Sequence, residues 1–257
     1  MTEPDSPSSP PVPVAIVTGA SRGVGRALAA QLLAAGARVL TLQRRPDPGL
    51  AGPGLEAWAC DLSDPRPVAE RLAQWIAALP PASVASLSLI NNAALMAEPG
   101  ELGPADPAEL SAAVRVGLEA PLLLSAAFLR ASAGLDPVPR RLMHISSGLG
   151  RRAMAGAASY CAVKAGLDHL SRVIALEEAD KPNGARSVSI APGIIDTDMQ
   201  RQLRSADPQR FAAQPQFAGF KAHGQLDSPE GCARKLLAYL ARADFGAQPV
   251  ADIRDAG

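Results

Sequence analysis

Short apolar runs alternate with longer helix-forming stretches along this chain, and each run is stopped by a small or polar residue. That alternation leaves few folds to choose from. The runs are Val14–Val17, Arg38–Leu42, Leu55–Cys60, Val84–Ile90, Arg140–Ile145 and Ser187–Ile190. Continuous Val, Leu and Ile without polar alternation read as strands buried on both faces. Between them lie stretches ending near Ala35, Leu79, Ala131 and Glu178 that read as helices, the third (from Ala108) with a break expected near Gly117 and Pro121. Strand and helix in alternation give an α/β fold with a parallel, doubly wound sheet. Ligands of such sheets bind beyond the C-terminal ends of the strands. Gly19, Gln43, Asp61, Asn91, Ser147 and Pro192 all stand at that address.

The first strand runs into Gly19-Ala20-Ser21-Arg22-Gly23-Val24-Gly25 and then a long Ala/Leu helix. Strand, glycine turn and helix form the setting of a dinucleotide site, although the spacing is G-x-x-x-G-x-G. Glycines let the backbone approach a pyrophosphate, and the helix N-terminus offers unpaired N–H groups and a positive dipole end. After the second strand, where a binder of a free ribose 2′-hydroxyl places an acid, stand Gln43-Arg44-Arg45. Arginine suits a 2′-phosphate as a charge-assisted partner. Arg44, with Arg22 adding to it, therefore points to NADP(H), and solvated loop arginines are the competing account.

Tyr160 and Lys164 are four apart, on one face of one helix. A free tyrosine has a pKa of about 10 and a lysine about 10.4. A nearby ammonium favours the phenolate and is expected to lower the tyrosine pKa, preparing it for general acid–base work. Cys161 beside it reads as a small buried apolar residue, and His144 and His169 read as structural.

Net charge is zero, with 25 basic and 25 acidic residues, which argues against an electrostatic nucleic-acid or membrane-surface binder. The composition is 47% hydrophobic but only 4% aromatic, so the core has to be built of Ala, Leu, Val and Ile. Three cysteines, an odd number without metal spacing, suggest a reducing compartment and no disulfide framework, and no metal site is expected. No run reads as a membrane span or signal peptide, and a cytoplasmic location is expected. Residues 1–12, rich in Pro and Ser, are expected to form a disordered tail before one domain spanning 13–257.

Taken together, Thr18-Gly19-x-x-x-Gly23-x-Gly25, Asp61, Asn91-Asn92-Ala93, Ser147, Tyr160-x-x-x-Lys164 and Pro192-Gly193 resemble the short-chain dehydrogenase/reductase family. The resemblance implies a single-domain Rossmann-like sheet of about seven parallel strands with helices on both faces. It implies that Tyr160 protonates a carbonyl oxygen as hydride arrives, that Ser147 hydrogen-bonds that oxygen, and that Lys164 tunes Tyr160 and holds the nicotinamide ribose. Gly19, Ser21, Arg22, Gly23, Val24, Gly25, Arg44, Asp61, Leu62, Asn92, Pro192, Gly193, Ile195 and Thr197 would bind the cofactor. Gly117 departs from the family, which places there an asparagine thought to hold a water of a proton relay.

From about residue 190 the chain is similar to sepiapterin reductases and bacterial benzil reductases, which reduce a ketone of a vicinal dicarbonyl. The similarity implies a small-molecule carbonyl substrate touching Ser147 and Tyr160. It makes Asp252 the candidate anchor for a pterin edge, or alternatively the end of a seventh strand. Residues 199–223 are expected to form a flap, with Phe211, Phe217 and Phe220 either walling the substrate or packing on the body. A homodimer or homotetramer through the long helices 108–131 and 160–178 is expected. The competing functions are an NADP-dependent secondary-alcohol dehydrogenase and a weakly catalytic NADP(H)-binding regulator.

Overall fold

The computed structural model describes residues 10–255. β1 (Val12–Thr18) lies inside a seven-stranded sheet and pairs in parallel with both β2 (Arg38–Gln43) and β4 (Val84–Asn91). β3 (Leu55–Ala59), β5 (Arg140–Ile145), β6 (Arg186–Ala191) and β7 (Val250–Asp252) complete the order β3-β2-β1-β4-β5-β6-β7, with every pairing parallel. The chain order reverses between β1 and β4, so the crevice at a topological switch point opens beyond those two strand ends.

Alternate residues of each strand feed opposite layers. Ile16 and Leu89 face a core completed by Leu72 and Ile76 of α2 (Pro65–Ala77) and by Leu124 and Phe128 of α4 (Ala120–Ala131). Val17 and Ile90 face the other layer, with Leu28 of α1 (Gly23–Ala34) and Leu236 of α8 (Pro229–Leu240). Two covered faces explain why the strands read as unbroken apolar runs.

The expected tail is one residue too long, because Val12 already belongs to β1; residues 1–9 fall outside the described part of the chain. The expected break in the third helix is real. α3 (Pro107–Val114) passes through a π-helical turn, Arg115–Glu119, into α4. This Pro107–Ala131 run is long and apolar enough to cross a membrane, yet half of its apolar window is buried, with Leu124 and Phe128 fully inside the core. α5 (Ala158–Glu178) carries the Tyr/Lys pair. The outer faces of α4 and α5, the helices expected at a subunit contact, leave Leu122, Val173 and Leu176 exposed.

Two short helices, α6 (Asp198–Ser205) and α7 (Gln214–Ala222), occupy the stretch expected to form a flap. They share a small core of Ala206, Phe211 and Phe217, packed against Met154, Leu203 and Phe220. Phe211 is fully buried, and a Cβ on Gly156 would lie 2.6 Å from its ring. It pins the flap to the body, while Phe217 and Phe220 reach the cleft below.

Candidate active site

A cleft of about 1270 Å³ runs across the C-terminal strand ends and brings the expected residues together. At one end lies the glycine loop. α1 starts at Arg22 with no side-chain cap, so its first N–H groups point free into the cleft. The loop is held from below by β4. Thr18 Oγ1 accepts from the Asn92 and Ala93 backbone N–H groups, both at 2.9 Å. The Asn92 amide donates to the carbonyls of Thr18 at 2.9 Å and Gly19 at 3.2 Å. A Cβ on Gly25 would sit 2.3 Å from the Gly19 oxygen and 2.4 Å from Asn92 Nδ2, so only glycine permits this approach of helix to strand.

Ser21, Gly23, Val24, Leu62, Asp61 and Arg44 line the same end. The Asp61 Oδ1 accepts from Ser63 N at 2.9 Å, and that bond holds the carboxyl below the usual range. Arg44 and Arg45 are exposed at the end of β2, while Gln43 is buried with an unpartnered Oε1 facing inward. Uncapped N–H groups, a glycine cradle and a guanidinium suit a nicotinamide dinucleotide. Arg22 is a different matter. Its guanidinium pairs with Asp198 at 2.6 Å, at the start of the flap, rather than standing free for a phosphate.

On the far wall, Pro192, Gly193, Ile195 and Thr197 follow β6. Ile195 is fixed by a bridge to Asp227, and the Thr197 hydroxyl caps α6 by accepting from Gln200 N.

Ser147, Tyr160 and Lys164 meet in the middle of the cleft. Ser147 caps a short turn, Gly148–Gly150, accepting from Leu149 N at 3.1 Å. Its neighbour Ser146 is turned inward and donates to Asp168 Oδ1 at 2.6 Å, which leaves Ser147 as the serine facing the cleft. Lys164 is buried, with Nζ donating to the Ile145 carbonyl at 2.6 Å and lying 5.4 Å from the Tyr160 ring centre. Burial pushes its pKa down to about 8, against the pull of the Asp168 charge.

One expectation is corrected here. The Tyr160 pKa is raised, because desolvation outweighs the hydrogen bond from Ser147. The Lys164 ammonium is committed to the Ile145 carbonyl instead of the phenol.

Asp252 does line the cleft, but its carboxylate is engaged. Arg254 donates from Nε to Oδ1 at 2.8 Å and from Nη2 to Oδ2 at 2.6 Å, and its backbone N–H adds a third bond at 3.0 Å. Cys161 does not line the cleft. His144 of β5 is fully buried, its Nδ1 3.2 Å from the amide of its cross-strand neighbour Asn91, and its pKa is lowered to about 4 mainly by burial. Among the described residues no cluster of His, Cys, Asp or Glu is placed to hold a metal. The residue missed from the sequence is Asp168, one turn beyond Lys164; the signal was its i+4 spacing from Lys164 on the buried face of α5.

A family model described as short chain dehydrogenase matches residues 13–208. The benzil reductase ((S)-benzoin forming) of Bacillus cereus is 30% identical over 236 residues, covering 90% of this chain and 94% of that protein. The sepiapterin reductase of Meriones unguiculatus is 34% identical over 261 residues, covering 94% and 96%. A short-chain dehydrogenase/reductase from Burkholderia vietnamiensis, solved as a crystal structure, is 36% identical with a TM-score of 0.66, covering 97% of this chain and all of that one.

Proposed function

The chain belongs to the short-chain dehydrogenase family of oxidoreductases, and on that footing we propose that it is an NADPH-dependent reductase of a ketone in a vicinal dicarbonyl, with Tyr160 as general acid. The observation that carries this reading is the meeting of Ser147, Tyr160 and Lys164 in one cleft with the uncapped start of α1.

When bound, the nicotinamide cofactor supplies the hydride. The residues of the chain do the rest. The first N–H groups of α1 would hold the cofactor's pyrophosphate, and Arg44 would hold a 2′-phosphate. Asn92 keeps the glycine loop in register by holding its carbonyls. Ser147 and Tyr160 both donate to the substrate carbonyl oxygen, where negative charge grows as the carbon gains hydride. The Tyr160 proton ends on that oxygen, giving an alcohol. A phenol held protonated by burial keeps that proton available at neutral pH. Lys164, its pKa lowered to about 8 and its ammonium 5.4 Å from the Tyr160 ring centre, would then serve as a nearby counter-charge to the tyrosinate.

Among the residues lining the cleft are Met96, Met154, Leu203, Phe217 and Phe220, which give it an apolar patch beside polar groups such as Gln216 and Arg152. That patch favours an aryl or alkyl diketone over a highly polar substrate. A pterin edge reaches Asp252 only by displacing Arg254.

The test is NADPH oxidation with benzil and sepiapterin in parallel. Tyr160→Phe should lower turnover by about 100- to 10,000-fold while NADPH binding is kept. Unchanged turnover in that variant would refute the assignment. Absence of turnover by the wild type across a broad dicarbonyl panel would instead favour a binding or regulatory role.

A further inference from the structure

Beneath the Tyr160–Lys164 pair lies a buried carboxylate that no step above uses. Asp168 is 2% exposed, one helical turn beyond Lys164. Its Oδ1 accepts from Ser146 at 2.6 Å, at the end of β5, and from Ser189 at 2.7 Å, on β6. Its Oδ2 lies 3.2 Å from Arg151 Nε, on the turn that follows Ser147. A Cβ on Gly150 would come within 2.9 Å of that same oxygen and of the Lys164 carbonyl, so the turn lies directly against this carboxylate. One buried side chain therefore ties together the helix of Tyr160, the loop of Ser147 and two strands.

Arg151 continues the line outward. It donates to the Ala251 carbonyl at 2.8 Å and lies 3.9 Å from Asp252, which is in turn gripped by Arg254 at 2.6 Å. The charges alternate from the inside out: Lys164, Asp168, Arg151, Asp252, Arg254.

We infer that Asp168 is a positioning residue that sets both the place and the charge of Lys164, and that Arg151 and Asp252 are the further rungs of the same ladder. The inference rests on the reading of Tyr160 and Lys164 as the acid–base pair. It also gives Asp252 an internal task, as counter-charge to Arg151 and Arg254.

The physical reasoning is short. A buried ammonium is destabilised by desolvation, and a carboxylate one helical turn away on the same buried face opposes that loss of charge. Asp168 opposes the burial that lowers the Lys164 pKa to about 8. Arg151 competes for the same carboxylate and weakens its pull. Among the described residues, His144, which burial keeps neutral, Tyr160 itself and the exposed Arg152 of the Ser147 turn also face the site. Ser146 and Ser189 add dipoles without charge.

Two substitutions should therefore act in opposite directions, which a bracket with only a structural role would not produce. Asp168→Asn keeps the shape and an acceptor oxygen for the serines but removes the charge, so Lys164 should lose its proton at a pH lower by about one unit. Arg151→Met frees Asp168 to act on Lys164 alone, so that midpoint should rise. Asp168→Glu should restore most of the wild-type value.

Lysine Cε NMR titration reads this without any activity, because the chain has four lysines, Lys164, Lys181, Lys221 and Lys235, and only Lys164 is buried. The alkaline limb of kcat/KM against a diketone should move with the NMR midpoint in each variant. A Lys164 midpoint that stays put in both variants, or moves the same way in both, would overturn the ladder. A wild type that turns over no diketone would remove the activity reading, and the NMR titration would still decide the role of Asp168.

Discussion

Gly117→Asn places the family's usual residue where this chain has none. A Cβ on Gly117 would stand 2.6 Å from Val163 Cγ1, 3.4 Å from Cγ2 and 3.6 Å from Cβ. Carbon atoms at rest sit about 3.5–4.0 Å apart, so the nearest contact is short by roughly 1 Å. Val163 is 2% exposed on α5 and, being β-branched, has one favoured rotamer there, so it does not turn away cheaply. Overpacking of this kind costs about 1–3 kcal/mol. For a chain of this size that is a fall in Tm of roughly 2–12 °C.

Val163 shares α5 with Tyr160 and Lys164, so relief by movement of α5 carries Tyr160, the proposed acid, with it. A displacement of about 1 Å at the reacting group costs on the order of 100-fold in rate. The assay is a thermal melt and a diketone turnover measurement on Gly117→Asn, Val163→Ala and the double variant. The double should exceed the sum of the singles by about 1 kcal/mol or more and regain turnover. A Gly117→Asn protein as stable and as active as the wild type, or strict additivity in the cycle, would show that Val163 does not occupy the asparagine's space.

Arg44→Ala should weaken NADPH binding about 10- to 100-fold, the worth of a charge-assisted hydrogen bond, and leave NADH binding unchanged; equal loss for both cofactors would place the 2′-phosphate elsewhere. His144 titrates at about 4 in the folded protein against 6.5 for a free side chain. Below 6.5 the unfolded chain takes the proton first, so stability is full above that pH and falls as pH drops toward 4, by roughly 3 kcal/mol in all. Melts of His144→Gln between those two pH values should show a flatter acid limb, and an equal slope in both proteins would remove His144 as the cause.

The strands were legible because a sheet covered on both faces needs unbroken apolar runs, and Val14–Val17 or Val84–Ile90 fit nothing else as well. The glycine loop and the Tyr160–Lys164 pair were legible because their geometry is local. What escaped the sequence depends on distant partners. Nothing in residues 198–205 says that Asp198 captures Arg22, and nothing near Asp168 announces Arg151, Ser146 and Ser189 around it. The direction of the Tyr160 shift escaped for a related reason: spacing places the lysine on the same face, but only the fold shows its ammonium turned to Ile145. Phe211 was ambiguous because a flap aromatic serves substrate or scaffold equally well until Gly156 is found beneath it.

The flap's separate core also bears on how this enzyme's preferences change over generations. Phe211, Phe217, Leu203 and Met154 pack on one another, outside the two layers that hold the sheet. Substitutions there reshape what the cleft admits and leave the two layers of the sheet in place, provided that the pairing of Asp198 with Arg22 and the seat of Phe211 on Gly156 are kept. Selection, natural or in the laboratory, can exchange one carbonyl compound for another by altering a few side chains of this unit.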